Sequence, residues 1–234
     1  MITVVKSETR GATQLDWLDS KHTFSFADYY NPSMMRFGPL RVINEDIIAP
    51  GQGFGAHPHR DMEIITYICE GALEHRDSMG SGEVITAGEV QHMTAGSGVI
   101  HSEFNASPTA PVHLFQIWIM PRDKNLQPGY SQQKVEWMRN AWTLLAAPDH
   151  SVDSAPLKIH QDVDLYGARI DAGRTLAFQS KRGGLWVQIA RGEARVGEQI
   201  VTAGDGIAVR DEAVLYLLAT TEAEVLLFDV PLAG

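Results

Sequence analysis

Apolar residues in this chain recur in short runs dense in β-branched and aromatic types. Leu40 to Asn44, Glu63 to Ile68, Leu114 to Ile119, Leu185 to Ala190, Ala213 to Leu218 and Val225 to Val230 share this character. Each is about the length of a strand. Turn-forming groups stand between them: Pro50-Gly51-Gln52-Gly53, Gly80-Ser81-Gly82, Arg182-Gly183-Gly184 and Asp205-Gly206. No segment sustains the 3.6-residue period of an amphipathic helix over several turns. The pattern predicts an all-β chain of the sandwich or barrel kind, with a short helix near Val135 to Leu145.

Two segments resemble each other. Glu83-Val84-Ile85-Thr86-Ala87-Gly88-Glu89 matches Gln199-Ile200-Val201-Thr202-Ala203-Gly204-Asp205. Upstream of each, an apolar strand ends in a charged residue and glycine, Glu70-Gly71 and Arg191-Gly192. One supersecondary unit used twice predicts two related barrels packed together. The linker is expected between about Pro121 and Pro156, where prolines and polar residues accumulate. This puts one barrel in residues 1–135 and the other in 136–234.

The candidate chemistry lies in the first half. In His57-Pro58-His59 and His101-Ser102-Glu103 the members of each pair are two residues apart. On a strand that spacing puts both side chains on one face, so four ligating groups from two strands can converge. Neutral imidazole plus carboxylate suits one divalent transition metal. Four such ligands leave two octahedral positions open for a substrate and dioxygen. Aligning Gly71 with Gly192 carries His57 and His59 onto Phe178 and Ser180, and aligning Gly88 with Gly204 carries His101 and Glu103 onto Leu217 and Ala219. The second barrel is therefore expected to lack metal ligands and to serve as a packing partner.

Composition narrows the classes. The formal net charge is −10, which argues against binding to nucleic acid or an anionic membrane surface. The lone cysteine, Cys69, rules out an internal disulfide and a cysteine zinc cluster. It lies in an apolar run and is expected to be a small buried hydrophobe. The short apolar start is followed at once by charge, unlike a signal peptide, and no stretch approaches a membrane span. A cytoplasmic monomer is the expectation.

Gly51, His57, His59, Glu63 and Gly71 reproduce the spacing of the first cupin motif. The stretches His57 to Glu63, Gln91 to Gly96 and His101-Ser102-Glu103, with His22 to Tyr30, resemble the pirin family, and most closely its bacterial quercetin 2,3-dioxygenase-like members. The second motif departs from the general cupin form, with Thr94 where proline is usual. The resemblance implies a bicupin of jelly-roll-like barrels with one metal, held by His57, His59, His101 and Glu103. The family association with iron makes Fe(II) the expected ion, although the same donors suit Mn, Co, Ni, Cu and Zn. It also implies cleavage of a flavonol ring with dioxygen and release of carbon monoxide, with Glu103 as ligand and base. The partners would be a small aromatic substrate and dioxygen. A eukaryotic member acts as a nuclear co-regulator, so a non-catalytic regulator or interaction module is the alternative. A metal-assisted isomerase or hydrolase is a third reading, favoured by no sugar-phosphate-binding cluster.

Glu63 competes with Glu103 for the fourth position. An unbroken strand would align residues 57, 59, 61 and 63. The resemblance favours Glu103, leaving Glu63 as a hydrogen-bond partner of a ligand or, if a bulge resets the parity, an exposed strand residue. His75, among Glu74, Arg76 and Asp77, reads as a solvated hairpin residue. His92 reads as partly buried and hydrogen-bonded, and His22 as structural. His113, His150 and His160 lack ligand-like spacing. Among Phe54, Phe104, Phe115 and Trp118, most are expected in the core and one or two at a pocket.

Overall fold

The structure is a computed structural model that describes residues 1–212 and 214–232. All six expected strand runs are strands, although Ala213, the first residue of one of them, lies outside the described residues.

Strands are numbered in chain order. The first barrel has a large sheet of β2 (Gly11–Leu15), β3 (Leu18–His22), β4 (Leu40–Ile48), β6 (Glu63–Glu70), β9 (Glu89–Thr94), β11 (Val112–Ile119) and β12 (Gly129–Lys134). Its small sheet has β5 (Gly53–His59), β7 (Ala72–Asp77), β8 (Gly82–Thr86) and β10 (Val99–Asn105). In the second barrel the large sheet has β1 (Ile2–Val5), β13 (Thr143–Pro148), β14 (Leu157–Ile159), β15 (Asp164–Ile170), β17 (Gly183–Arg191), β20 (Gly206–Arg210) and β22 (Ala223–Pro231). Its small sheet has β16 (Thr175–Gln179), β18 (Glu193–Val196), β19 (Gln199–Thr202) and β21 (Val214–Ala219).

The duplication read from the Thr-Ala-Gly segments extends to the topology. The small sheets run β5-β10-β7-β8 and β16-β21-β18-β19, and the large ones β12-β9-β6-β11-β4-β3-β2 and β1-β20-β17-β22-β15-β13-β14. The edge strands β12 and β1 hold equivalent places but come from outside the repeat. β12 belongs to the segment between the barrels, while β1 starts the chain and pairs with β20 of the second barrel. The fold is a bicupin.

Alternation along the large-sheet strands explains why the barrels associate. Ile43, Ile65, Tyr67, Phe115 and Ile117 face out of the first barrel and share one core with Leu145, Leu165, Trp186, Leu226 and Phe228 of the second. Cys69 is buried there, as expected. The second barrel is filled by its own apolar cluster, including Phe178, Leu217 and Ala219. In the first barrel Ile48, Ile68, Leu73, Ile85 and Leu114 form one apolar cluster, and Ile64, Met93, Ala95 and Val99 form another. Buried polar residues, among them Asn44, His75, Gln91, His101, Glu103 and Gln116, share the interior with them.

Two expectations are corrected. The only helical turn among the described residues is a 3-10 turn at Ser7–Thr9. The short helix expected at Val135 to Leu145 is instead extended chain leading into β13. Asn140 there takes a positive φ of 56°, Trp137 packs against Tyr67, and Arg139 bridges to Arg169. These tertiary contacts override local helix propensity. The proposed linker span is also partly sheet, since β12 and β13 lie inside it.

A candidate metal centre in the first barrel

β5 is the edge strand of its sheet and pairs with β10, with His57 opposite His101 and His59 opposite Val99. Pro58, exposed and opposite Ile100, is tolerated at the edge because it donates no ladder hydrogen bond there. The register shifts between His101 and Glu103, so Glu103 faces Phe54. This bulge re-aims β5 beside the site. The imidazoles of His57, His59 and His101 converge, with ring centroids 4.4–4.8 Å apart. Their ligating atoms all lie within 4.8 Å of one another. Glu103 lines the same cavity of about 320 Å3.

His57 Nδ1 is bonded to Gly55 O at 2.8 Å, leaving Nε2 free to ligate. His101 Nε2 is buried with no hydrogen-bond partner among the described residues. An orphaned imidazole nitrogen is costly unless something fills it, and a cation would do so. Burial pushes the His101 imidazole down to about 2, and the neighbouring histidines push the same way. Burial likewise holds His59 at about 4. Neutral imidazoles are the form a cation binds. Burial raises the Glu103 carboxyl to about 7, opposed by a hydrogen bond from Gln116; a bound cation would restore the carboxylate. The donor set fits a divalent transition metal.

The large sheet supports this centre through one register row. His22 stands opposite Asn44, Asn44 opposite Gln116, Gln116 opposite Thr66, and Thr66 opposite Gln91. Gln116 Nε2 donates to Glu103 at 2.6 Å, and Thr66 Oγ1 donates to its other oxygen at 3.5 Å. Gln91 Nε2 approaches His75 Nδ1 at 3.5 Å. His22 is buried and braced by Asn44 and Thr13, at 3.0 and 2.9 Å, and it also lines the cavity.

His75 departs from expectation. It is fully buried, not a solvated hairpin residue. Alternation on β7 sends His75 and Asp77 inward, while Glu74 and Arg76 pair outside. Its Nδ1 lies 3.4 Å from His101 Nδ1, and its ring stacks on Tyr130. His75, His101 and Glu103 form a second group of close donors sharing His101, but His75 does not line the cavity.

Glu63 takes neither role expected of it. Asp61, at a positive φ of 49°, breaks the chain between β5 and β6, so the parity from His57 does not carry through. Glu63 is fully buried instead of exposed. It accepts from His92 Nε2 at 2.8 Å, Thr94 Oγ1 at 3.1 Å and the backbone N–H of His160 at 3.1 Å, tying β6 to the second half of the chain. His92, 5% exposed and bonded to Glu63, is a hydrogen-bonded histidine, as the sequence predicts. Phe54 and Trp118 line the cavity, Phe115 is in the core, and Phe104 is exposed. Trp17, outside the motifs, and Phe26, inside the His22 to Tyr30 stretch but not singled out as a pocket residue, complete the aromatic wall: Trp17 meets Phe54 edge-on at 5.3 Å, and Phe26 meets Trp118 at 5.4 Å.

The register also corrects the internal alignment. Since His101 pairs with His57 and Leu217 with Leu176, the counterparts of His57 and His59 are Leu176 and Phe178, two residues earlier than the glycine alignment put them.

A duplicated barrel with a histidine-carboxylate cluster inside one copy defines a metal-binding bicupin class. Within it, the chain belongs to the pirin family. Residues 4–119 match the family model described as Pirin, and residues 144–230 match that described as Quercetinase C-terminal cupin domain. The chain is 44% identical over 232 residues to the Quercetin 2,3-dioxygenase of Escherichia coli strain K12, covering 99% of each. It is 40% identical to a Pirin-like protein of Caulobacter vibrioides, covering 94% of this chain and 95% of the relative. The crystal structure of the bacterial pirin YhhW from E. coli in complex with nickel(II) superimposes with a TM-score of 0.94 at 44% identity, covering 100% of both chains.

Proposed function

We propose that the chain is a metal-dependent dioxygenase that cleaves the ring of a quercetin-like flavonol with dioxygen and releases carbon monoxide. The observation that carries this reading is the convergence of His57, His59, His101 and Glu103 on one aromatic-walled cavity. These four residues would hold one divalent ion. Iron(II) is our choice, and nickel(II), which the E. coli pirin binds, is the ion to test beside it. When bound, the metal supplies a Lewis acid for the flavonol 3-hydroxyl oxygen and a centre that engages dioxygen.

The chain's residues do the rest. The Glu103 carboxylate, held by the Gln116 amide, takes the proton of the 3-hydroxyl. Trp17, Phe26, Phe54 and Trp118 offer flat apolar faces to the rings and exclude water from the enolate. In this reading residues 1–135 carry the chemistry and residues 136–234 buttress the outer face of the large sheet, with β1 exchanged into the second barrel.

Metal analysis of protein purified without added metal, followed by dioxygen uptake on quercetin, tests the proposal. One equivalent of metal and stoichiometric uptake with carbon monoxide release is the expected result. Absence of uptake with iron-, nickel-, manganese-, cobalt- and copper-loaded protein overturns it.

A further inference from the structure

The cavity has a second polar feature that the metal centre does not use. Asp46 on β4 and Ser20 on β3 stand opposite each other, and both line the cavity. They belong to the large sheet, whereas the candidate ligands sit on β5 and β10 of the small sheet. Asp46 is therefore presented from the wall facing the metal centre. Both residues are 2% exposed. The one hydrogen bond to the Asp46 carboxylate among the described residues comes from the Ser20 hydroxyl. Among the described residues no lysine, arginine or histidine forms an ion pair with it; the neighbouring Arg10 and His113 pair with Glu45 instead.

A buried carboxylate has about four lone-pair sites, and one hydroxyl leaves most of them unused. Burying a charge so poorly compensated is unfavourable. Burial pushes the carboxyl up to about 6, with the Ser20 bond opposing. The fold does not demand this residue. On β15 and β22, the equivalents of β4 and β11, Ala168, Ile170, Val225 and Leu227 enter the apolar interior of the second barrel. The first barrel thus carries an unfavourable carboxylate where its twin carries hydrocarbon, and it carries it in the wall of the substrate-sized cavity.

We propose that Ser20 and Asp46 form a substrate-anchoring subsite that accepts a hydrogen bond from a phenolic hydroxyl of the substrate other than the 3-hydroxyl. It selects polyhydroxylated aromatics over bare ones. The inference rests on the dioxygenase reading for its choice of ligands, but it concerns affinity and not turnover.

Anaerobic fluorescence titration of metal-loaded protein with quercetin and with 3-hydroxyflavone, which keeps the 3-hydroxyl and lacks the others, gives a Kd for each. The wild type should prefer quercetin about tenfold or more, the effect of a hydrogen bond to a charged acceptor. Asp46→Leu should bring the ratio of the two constants close to one. Asp46→Asn, which keeps a neutral acceptor, should fall between them, and Ser20→Ala should reduce the ratio by releasing Asp46 from its fixed geometry. Metal content and circular dichroism identify correctly folded variants; if Asp46→Leu does not fold, the other two decide. A wild-type ratio near one, a ratio unchanged in the folded variants, or failure of both flavonols to bind overturns the subsite. Loss of the dioxygenase reading would show separately, as flavonol binding with the expected preference but no dioxygen uptake.

Discussion

The Nδ1 atoms of His75 and His101 lie 3.4 Å apart, while His75 Nε2 lies 3.1 Å from the Asp77 carboxylate. This arrangement orders the protons. Asp77 can only accept, so His75 Nε2 carries hydrogen and His75 Nδ1 is an acceptor. His101 Nδ1 must then donate, and His101 Nε2 is left as a lone pair, the buried atom with no partner among the described residues. His75→Ala should therefore weaken metal binding about 10- to 100-fold. Equilibrium dialysis against nickel(II) or iron(II) reads this directly. His92→Ala removes an equally buried histidine that bonds Glu63 instead, and its metal affinity should match the wild type.

Gly53 approaches β10 so closely that a Cβ there would stand 2.2 Å from the Glu103 carbonyl oxygen and 2.5 Å from Phe104 Cα. Both are backbone atoms that cannot swing aside. Gly53→Ala should cost about 1–3 kcal/mol, the usual range for overpacking. The displaced segment is the one carrying Glu103, so metal occupancy should fall together with the denaturation midpoint. Gly55, where an added Cβ meets nothing within 4 Å, is the control: Gly55→Ala should leave occupancy intact.

What the chain reveals about itself follows the range of each interaction. The strands and the pairs His57-Pro58-His59 and His101-Ser102-Glu103 are legible because period two acts within a few residues. His75 is hidden by its neighbours, since Glu74, Arg76 and Asp77 look like a solvated turn until β7 sorts them onto two faces. The row His22, Asn44, Gln116, Thr66 and Gln91 is spread over five strands and exists only through register. The same holds for the exchange of β1 into the second barrel and for the two-residue slip in matching His57 to its counterpart. The place of Glu63 is not legible in the sequence because one residue of left-handed backbone, Asp61, decides the face on which every later residue lands.

Glu63 gives stability a pH dependence. Burial alone would raise its carboxyl, but the bond and charge of His92 and the His160 N–H outweigh this and leave it below its ordinary value of 4.5. A carboxyl depressed by folding stabilises the native state fully above the unfolded value, and this stabilisation is lost as pH falls through the lower folded value. Wild-type stability should therefore drop below about pH 4.5, and Glu63→Gln should flatten that limb. Glu63→Leu leaves His92 and the His160 N–H without an acceptor and should cost about 3 kcal/mol at neutral pH. Urea denaturation across pH 3–7 on the metal-loaded protein measures both. Retained metal in Glu63→Gln would agree with its position away from the histidine cluster.

Glu103 separates binding from chemistry. Its carboxylate faces the cavity, with one oxygen receiving the Gln116 amide at 2.6 Å and the other Thr66. Glu103→Gln preserves the volume and keeps one carbonyl oxygen for Gln116, so the polar row should stay in place. The variant loses the charge and the basicity. A base that takes the 3-hydroxyl proton contributes about 10²–10⁴-fold to the rate, so kcat should fall in that range while the flavonol Kd changes far less. If Glu103 served only to hold the metal, occupancy and activity would fall together, and restoring occupancy with excess metal would restore the rate. Measuring kcat per bound metal distinguishes the two: a low value at full occupancy assigns Glu103 the proton, and a wild-type value at full occupancy removes it from the chemistry.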